Sequence, residues 1–399
     1  MRKDKKVFSI KETMIFITLA SLLVGFSCSF VMYRHYTEKE VKPDYSSVIK
    51  DENLIDFLEK YEEIVNNYYE DVDRASLTKS AISGMLEYLG DPYTSYLDDD
   101  SANSLLEQLE GKYSGVGIEV SMDETSTIRV TKVFDNSPAK RAGLEVGDIF
   151  VSVNDKDVAG RVFSEVTDEI KYGENPTSKI VVLRNNKEYT FEITRSSLYI
   201  PSVETKIIDK NIGYMSISTF SNTTPEQVKE AIKLFNDKKV DKVIIDLRNN
   251  TGGYLHSAKS IIEQFLEKDK TMYSIKYKNK EETFKDTTRE HTTFKIAILV
   301  NKASASASEI MTGALKESYG AIVVGTTTFG KGKVQQTSQT ASGGLFKYTS
   351  AKWLLPSGEC IDGVGIKPDY EVESNTISIG DTSSKSDDQL KKAIEVIKK

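Results

Sequence analysis

The chain has 399 residues and a formal net charge of −7, from 53 Lys and Arg against 60 Asp and Glu. That acidic balance excludes non-specific nucleic-acid binding, which needs a basic surface to release counterions. Two cysteines exclude a disulfide framework and three histidines leave little for a metal site, so no metal and no other cofactor is expected.

Residues 1–13 carry Arg2, Lys3, Lys5, Lys6 and Lys11 against only Asp4 and Glu12. Residues 14–33 then run without a charge, long enough for about 30 Å of helix, the thickness of a bilayer core. The positive-inside rule places the short N-terminus in the cytoplasm and the rest outside, on a single-pass anchor. The alternatives are a signal peptide cut near Gly25 to Ser27, which would release a secreted protein, and a lipoprotein signal at Cys28. Residues 34–53 read as a polar stalk.

In 54–110, Leu54, Phe57, Leu58, Tyr61, Ile64 and Val65 recur at helical spacing. A second stripe (Leu77, Ala81, Ile82, Met85, Leu86, Leu89) stops at Gly90-Asp91-Pro92, and a third helix is expected near 101–109. Residues 111–196 are β-rich, with strands expected at 117–120, 128–133, 149–153 and 179–183 and one helix at 163–171. Residues 197–375 alternate strand and helix, which predicts an α/β domain with parallel strands. Its strands are expected at 213–218, 242–246, 295–300 and 321–324. Its helices are expected from Thr224 (a Thr-Pro-Glu-Gln capping box), from Gly253 to about 267, and over 307–318. Residues 376–399 form a linker and an amphipathic helix.

Three stretches carry chemistry. Ser304-Ala305-Ser306-Ala307-Ser308-Glu309 follows a strand and opens a helix. The plain reading makes Ser306 an N-cap; the chemical one makes it a nucleophile whose following N–H faces an oxyanion. Lys331, between glycines in Phe329-Gly330-Lys331-Gly332, is a candidate general base, because burial disfavours its ammonium form. His256 is the other candidate base. Gly252-Gly253, between a strand and a helix, suits either a tight turn or anion stabilisation by backbone N–H groups.

Together these stretches resemble the C-terminal processing (tail-specific) serine proteases. The shared motifs run in the family's order: Asp246-Leu247-Arg248 to Gly252-Gly253, Ser304 to Glu309, Val324 to Gln335 and Pro356 to Asp369. The resemblance implies Ser306 as nucleophile, Lys331 as base, Gln335 as the residue positioning that lysine, and the N–H groups of Gly252 and Ala307 as oxyanion donors. It implies a crotonase/ClpP-like α/β protease core. The β-rich module resembles a PDZ domain, with Gly115, Val116, Gly117 and Ile118 as its carboxylate-binding loop and first groove strand. PDZ domains add a free C-terminus as an extra strand, so the partners implied are protein substrates with apolar tails. A homodimer, through the helical region or the C-terminal helix, and a regulatory protein partner are also expected. The alternatives are a non-proteolytic PDZ scaffold and a crotonase-type acyl enzyme; a nucleophile and base at this spacing argue against both.

Overall fold

The computed structural model describes residues 50–399 apart from 210, 290, 341–343, 375 and 378–386. The expected anchor over 14–33 lies outside the described residues. Among the described residues, no helix is long and apolar enough to cross a membrane. The chain divides into two units, Met1–Gly84 and Met85–Lys399.

In the first unit, α1 (Glu52–Asn67) starts at Asp51, whose carboxylate accepts the Asn53 N–H at 3.0 Å. The next helix, α2 (Arg74–Tyr88), opens with Arg74, whose guanidinium forks onto Glu62 at 2.9 and 3.0 Å. The apolar stripe of α1 leaves Phe57, Leu58 and Ile64 exposed.

The second unit begins with β1 (Ser95–Leu97) and α3 (Asp99–Glu110), and Gly111 ends that helix in the left-handed region. A two-stranded ribbon, β2 (Lys112–Gly115) with β9 (Ser196–Tyr199), frames the β-rich module. Inside it β3 (Ile118–Met122), β4 (Ile128–Val133), β5 (Ile149–Val153), β7 (Thr177–Arg184) and β8 (Lys187–Thr194) form a sheet in that order, with β6 (Lys156–Asp157) beside β5. A short helix, α4 (Pro138–Ala142), and α5 (Phe163–Tyr172) complete the module. Its core holds Ile128, Val130, Phe150, Ile180 and Val182, the inward residues of alternating strands. β3 and β8 are the edge strands of this sheet.

The α/β domain is built on a six-stranded sheet. β10 (Val203–Asp209) runs antiparallel to β11 (Ile212–Ile217). Then β12 (Lys242–Asp246), β15 (Lys295–Val300), β16 (Ile322–Gly325) and β19 (Tyr370–Glu371) follow, each parallel to the last. Strand period assigns the faces. Val243, Ile245, Ile296 and Ile298 point to one side, where α6 (Thr224–Asp237), α7 (Leu255–Ile262) and α8 (Ala307–Ala314) cover them. Ile244, Ala297 and Leu299 point to the other side, where Leu390, Ala393 and Ile397 of α9 (Asp388–Lys398) cover them.

Three expectations need correction. The Thr-Pro-Glu-Gln capping box does not form: Thr223 is the N-cap, and Gln227 instead accepts the Ser202 and Val203 N–H groups at 2.9 and 3.2 Å. The helix after Gly253 ends at Ile262, short of the expected 267, whereas the helix expected after Ser306 forms, as an α-helix to Ala314 and a π-helix over Leu315–Tyr319. The sequence reading also lacked a second, antiparallel sheet. It runs β1, β18 (Leu345–Leu354), β13 (Thr271–Lys276) and β14 (Glu281–Lys285), with β17 (Lys333–Gln339) also on β18.

Candidate active site

In an open parallel sheet, ligands bind at the carboxyl ends of the strands. Here three neighbouring strands, β12, β15 and β16, end in the three loops that the sequence singled out. They carry Gly252-Gly253, Ser306 and Lys331 respectively, and all of these line one cavity of about 670 Å³. Leu105, Leu106 and Leu109 of α3 line the same cavity, as do Ile310, Tyr273 and Trp353. Its wall is mostly apolar, which suits an extended peptide with apolar side chains.

Ser306 stands at the strand-to-helix turn with φ +56° and ψ −115°. A non-glycine residue in that region costs on the order of 1–3 kcal/mol and is held there by its surroundings. The flanking serines supply part of the hold. Ser304 donates its hydroxyl to the Leu247 carbonyl and Ser308 to the Asn250 carbonyl, both at 2.8 Å. Asn249 and Asn301 exchange two further bonds, at 3.0 and 2.8 Å. These bonds therefore bolt the glycine loop to the serine loop. Ser306 alone of the three serines donates its hydroxyl to no acceptor among the described residues.

The glycine loop fits against the serine. A Cβ on Gly252 would fall 2.9 Å from Ser306 Cβ and 3.1 Å from Ala307 N, at a φ of +110°, so only glycine is accommodated. The Ala307 N–H opens α8 and has no intrahelical partner. The Gly252 N–H, by contrast, donates to Asn250 Oδ1 at 2.8 Å. The adjacent Gly253 N–H makes no hydrogen bond among the described residues and lines the same cavity.

Lys331 lies on the far side of Ser306. Its Nζ donates to Gln335 Oε1 at 2.7 Å, and Gln335 Nε2 donates to the Tyr93 carbonyl. Burial pushes the Lys331 amine below the usual lysine range and the Lys347 ammonium adds to that, while Asp91 and Glu309 oppose it. The Lys331 carbonyl accepts from Trp353 Nε1 at 2.8 Å. Gly330, at φ +88°, lets the loop approach the Gly363–Gly365 backbone: a Cβ there would fall 2.9 Å from the Gly365 N. No hydrogen bond joins Ser306 Oγ to Lys331 Nζ in this arrangement. His256 also lines the cavity, but its Nε2 sits 2.5 Å from Asn222 Oδ1 and its ring leans on Tyr254.

Glu309 does more than cap α8, a role that the S-x-x-E spacing did not reveal. Fully buried, its carboxylate accepts the Ser306 N–H at 2.9 Å, the Thr328 hydroxyl at 2.6 Å, and the Gly330 and Lys331 N–H groups at 2.7 and 2.9 Å. One side chain thus ties the serine turn to the lysine loop.

Arg248 anchors the glycine loop from below. Burial opposes its charge, but Asp246 and Asp387 prevail and hold the guanidinium well above its usual range. Its partners are Asp246 at 2.6 Å and Asp387 at 2.9 Å, and Asp387 also accepts the Leu390 N–H at 3.0 Å, capping α9. Asp387→Ala is therefore expected to destabilise the fold by about 2–4 kcal/mol, combining a lost helix cap with a lost buried ion partner. Urea unfolding checks this; a change under about 0.5 kcal/mol, the range of an ordinary surface substitution, would refute the anchoring role.

The proposed PDZ residues lie together. Gly115 ends β2 opposite Ser196, Val116 is buried with its carbonyl accepting from Ala139 N at 2.8 Å, and the Gly117 carbonyl accepts from Phe134 N at 3.1 Å. Ile118 then opens the edge strand β3. Ile118, Val120 and Phe163 are only partly covered at the margin of the module's core.

The fold and site define a serine hydrolase of the α/β type joined to a PDZ module. The family model of Peptidase family S41 matches residues 211–372, that of the PDZ domain matches 129–185, and one described as Activating protease CtpB N-terminal domain matches 22–101. A probable CtpA-like serine protease of Staphylococcus aureus (strain COL) is 36% identical over 377 residues, covering 93% of this chain and 74% of that one. Its counterpart in Staphylococcus haemolyticus (strain JCSC1435) is 36% identical over 317 residues, covering 79% and 64%. Among solved structures, a putative S41 protease from Bacteroides fragilis NCTC 9343 shares the fold, with a TM-score of 0.51 at 16% identity over 79% of this chain and 90% of that one. The chain belongs to peptidase family S41, the C-terminal processing serine peptidases, in the form that carries a PDZ domain.

Proposed function

We propose that this protein is a membrane-anchored, extracytoplasmic endopeptidase that captures protein C-terminal tails in its PDZ module and cuts them with a Ser306–Lys331 dyad. The observation that carries the reading is the convergence of the serine, glycine and lysine loops on one cavity at adjacent strand ends. The anchor is the uncharged segment 14–33, which places the catalytic unit outside the cytoplasm.

Chemically, the neutral Lys331 amine takes the Ser306 hydroxyl proton as Oγ bonds to the scissile carbonyl carbon. Nζ must first swing from Gln335 towards Oγ, a tightening that commonly waits for substrate. The Ala307 N–H and a glycine-loop N–H receive the oxyanion. The free Gly253 N–H is ready for that task, whereas the Gly252 N–H must first leave Asn250. The Lys331 ammonium then protonates the leaving amine, and water releases the acyl group from Ser306. Gln335 holds the lysine amine until that swing.

The tail arrives by strand addition to β3, with Gly115 to Ile118 holding its carboxylate. The test is cleavage of an unfolded protein with an apolar C-terminus by the detergent-solubilised full chain, with Ser306→Ala beside it and the products weighed by mass spectrometry. The wild type cuts and Ser306→Ala does not; cutting by both removes the nucleophile. The same tail with its terminal carboxylate amidated is expected to lose about tenfold or more in kcat/KM, mainly through KM, because a charge-assisted hydrogen-bond set is lost. Equal rates for the free and amidated tails would remove tail capture and favour a PDZ domain of purely structural role.

A further inference from the structure

The S41 match covers residues 211–372, yet the lysine loop within it is held by a turn far upstream, Gly90 to Thr94. That turn is rigid. Asp91 accepts the Tyr93 N–H at 3.3 Å and the Thr94 hydroxyl at 2.7 Å, and the Thr94 hydroxyl oxygen in turn accepts the Thr349 N–H at 3.1 Å. β1 follows at once and pairs with β18, Ser95 opposite Lys347. The Tyr93 ring then lies against two ammonium groups: Lys331 Nζ is 4.9 Å from its centroid and Lys333 Nζ 5.2 Å. The Tyr93 carbonyl holds Gln335.

We propose that Tyr93 is a positioning residue for the base, its ring face holding the Lys331 amine and its carbonyl holding Gln335 ready for proton transfer from Ser306. The inference rests on Lys331 being that base. A ring suits the task for a chemical reason. A carboxylate against Nζ would lock the lysine as an ammonium, whereas a ring face attracts it more weakly and leaves it able to lose its proton. The nearest carboxylate, Asp91, is engaged by Lys333 at 3.1 Å. Lys331 and Lys333 flank Gly332, and both side chains reach the same ring. The charged groups facing Lys331 are Lys347 from the second sheet, Asp91 from the turn and Glu309 from α8, with Lys333 on the same ring.

The ring acts apart from the carbonyl, which no substitution removes. The test is the pH dependence of kcat and KM for tail cleavage by the full chain with Tyr93→Phe, Tyr93→Leu and Lys331→Ala. Tyr93→Phe keeps the face and is expected to stay within about threefold of wild type. Tyr93→Leu is expected to lower the high-pH plateau of kcat about 10- to 100-fold with little change in KM, since misplacing a catalytic group by an ångström has that effect. Its acid limb should move to lower pH by about half a unit to one unit, because the ammonium loses its ring while its surroundings stay apolar. A residue that only stabilises the fold would lower the melting temperature and leave that limb in place. Tyr93→Phe with a fully fluorinated ring keeps the shape, removes the negative face and should reproduce the Leu profile even where Tyr93→Leu does not fold. An unmoved acid limb in both variants, or equal losses in Phe and Leu, overturns the proposal. Full activity in Lys331→Ala overturns the base assignment itself, an outcome distinct from inactive Lys331→Ala with an unmoved Tyr93→Leu limb.

Discussion

Lys331→Met is expected to lower tail cleavage by about three to four orders of magnitude and, at neutral pH, to raise the melting temperature. The two effects share a cause. Burial depresses the amine and Lys347 adds to it, outweighing Asp91 and Glu309. The folded protein therefore binds that proton less well than the unfolded chain, whose lysine keeps its usual value near 10.4. Below the folded pKa the native state carries the full cost of a buried ammonium. Between the two values the unfolded chain holds the proton and the native one does not, so wild-type stability rises with pH through this window. The advantage of Lys331→Met is thus largest below the folded pKa and fades as the pH approaches about 10.4. The same depressed amine sets the rate: kcat/KM should climb with pH through the folded pKa and then level off. Melting curves and initial rates over one pH series check both. A Met variant that melts lower than wild type at neutral pH would mean that Gln335 and Tyr93 bind the ammonium more strongly than burial disfavours it. The lysine would then be poised as an acid, not a base.

The motif residues were legible because each belongs to a short run of small residues at the end of an apolar strand. Val243 to Ile245 and Ile296 to Val300 are continuous buried runs, and the glycine and serine loops follow them directly. β17 was invisible for the opposite reason: Lys-Val-Gln-Gln-Thr-Ser-Gln is polar apart from Val334 and largely exposed, and only its pairing with β18 makes it a strand. The capping box at Thr224 failed because Gln227 had a better use in binding two N–H groups of the strand entering the sheet. Tyr93, just past the helix stop Gly90-Asp91-Pro92, drew no reading from the sequence, because its contact with Lys331 joins segments far apart in the chain, which no local period encodes. Gly252 was legible as a glycine of a tight turn or an anion-stabilising loop, but the direction of its N–H depends on Asn250, a tertiary matter.

Glu309→Gln is expected to cost about 3–5 kcal/mol of stability and about a hundredfold or more in kcat, although it changes one atom. An ionised carboxylate offers about four acceptor sites and no donor. Glu309 meets four donors, from Ser306, Thr328, Gly330 and Lys331. A glutamine keeps one oxygen and turns an NH2 either towards the Ser306 and Lys331 N–H groups or towards the Gly330 N–H and the Thr328 hydroxyl, and each buried unmatched donor costs about 1–3 kcal/mol. The catalytic loss follows from position. Oε2 bridges the Ser306 and Lys331 backbones, so repelling either moves nucleophile and base apart, and an ångström there is worth about a hundredfold. Glu309→Asp keeps the acceptors on a shorter arm and should recover stability better than rate. A pH series separates structure from charge: Glu309 favours the Lys331 ammonium, so any activity left in Glu309→Gln should show its acid limb displaced to lower pH. Wild-type kcat and unfolding midpoint in Glu309→Gln would mean that the two loops hold their spacing without the carboxylate, through the Trp353 and Gly363 contacts of the lysine loop alone.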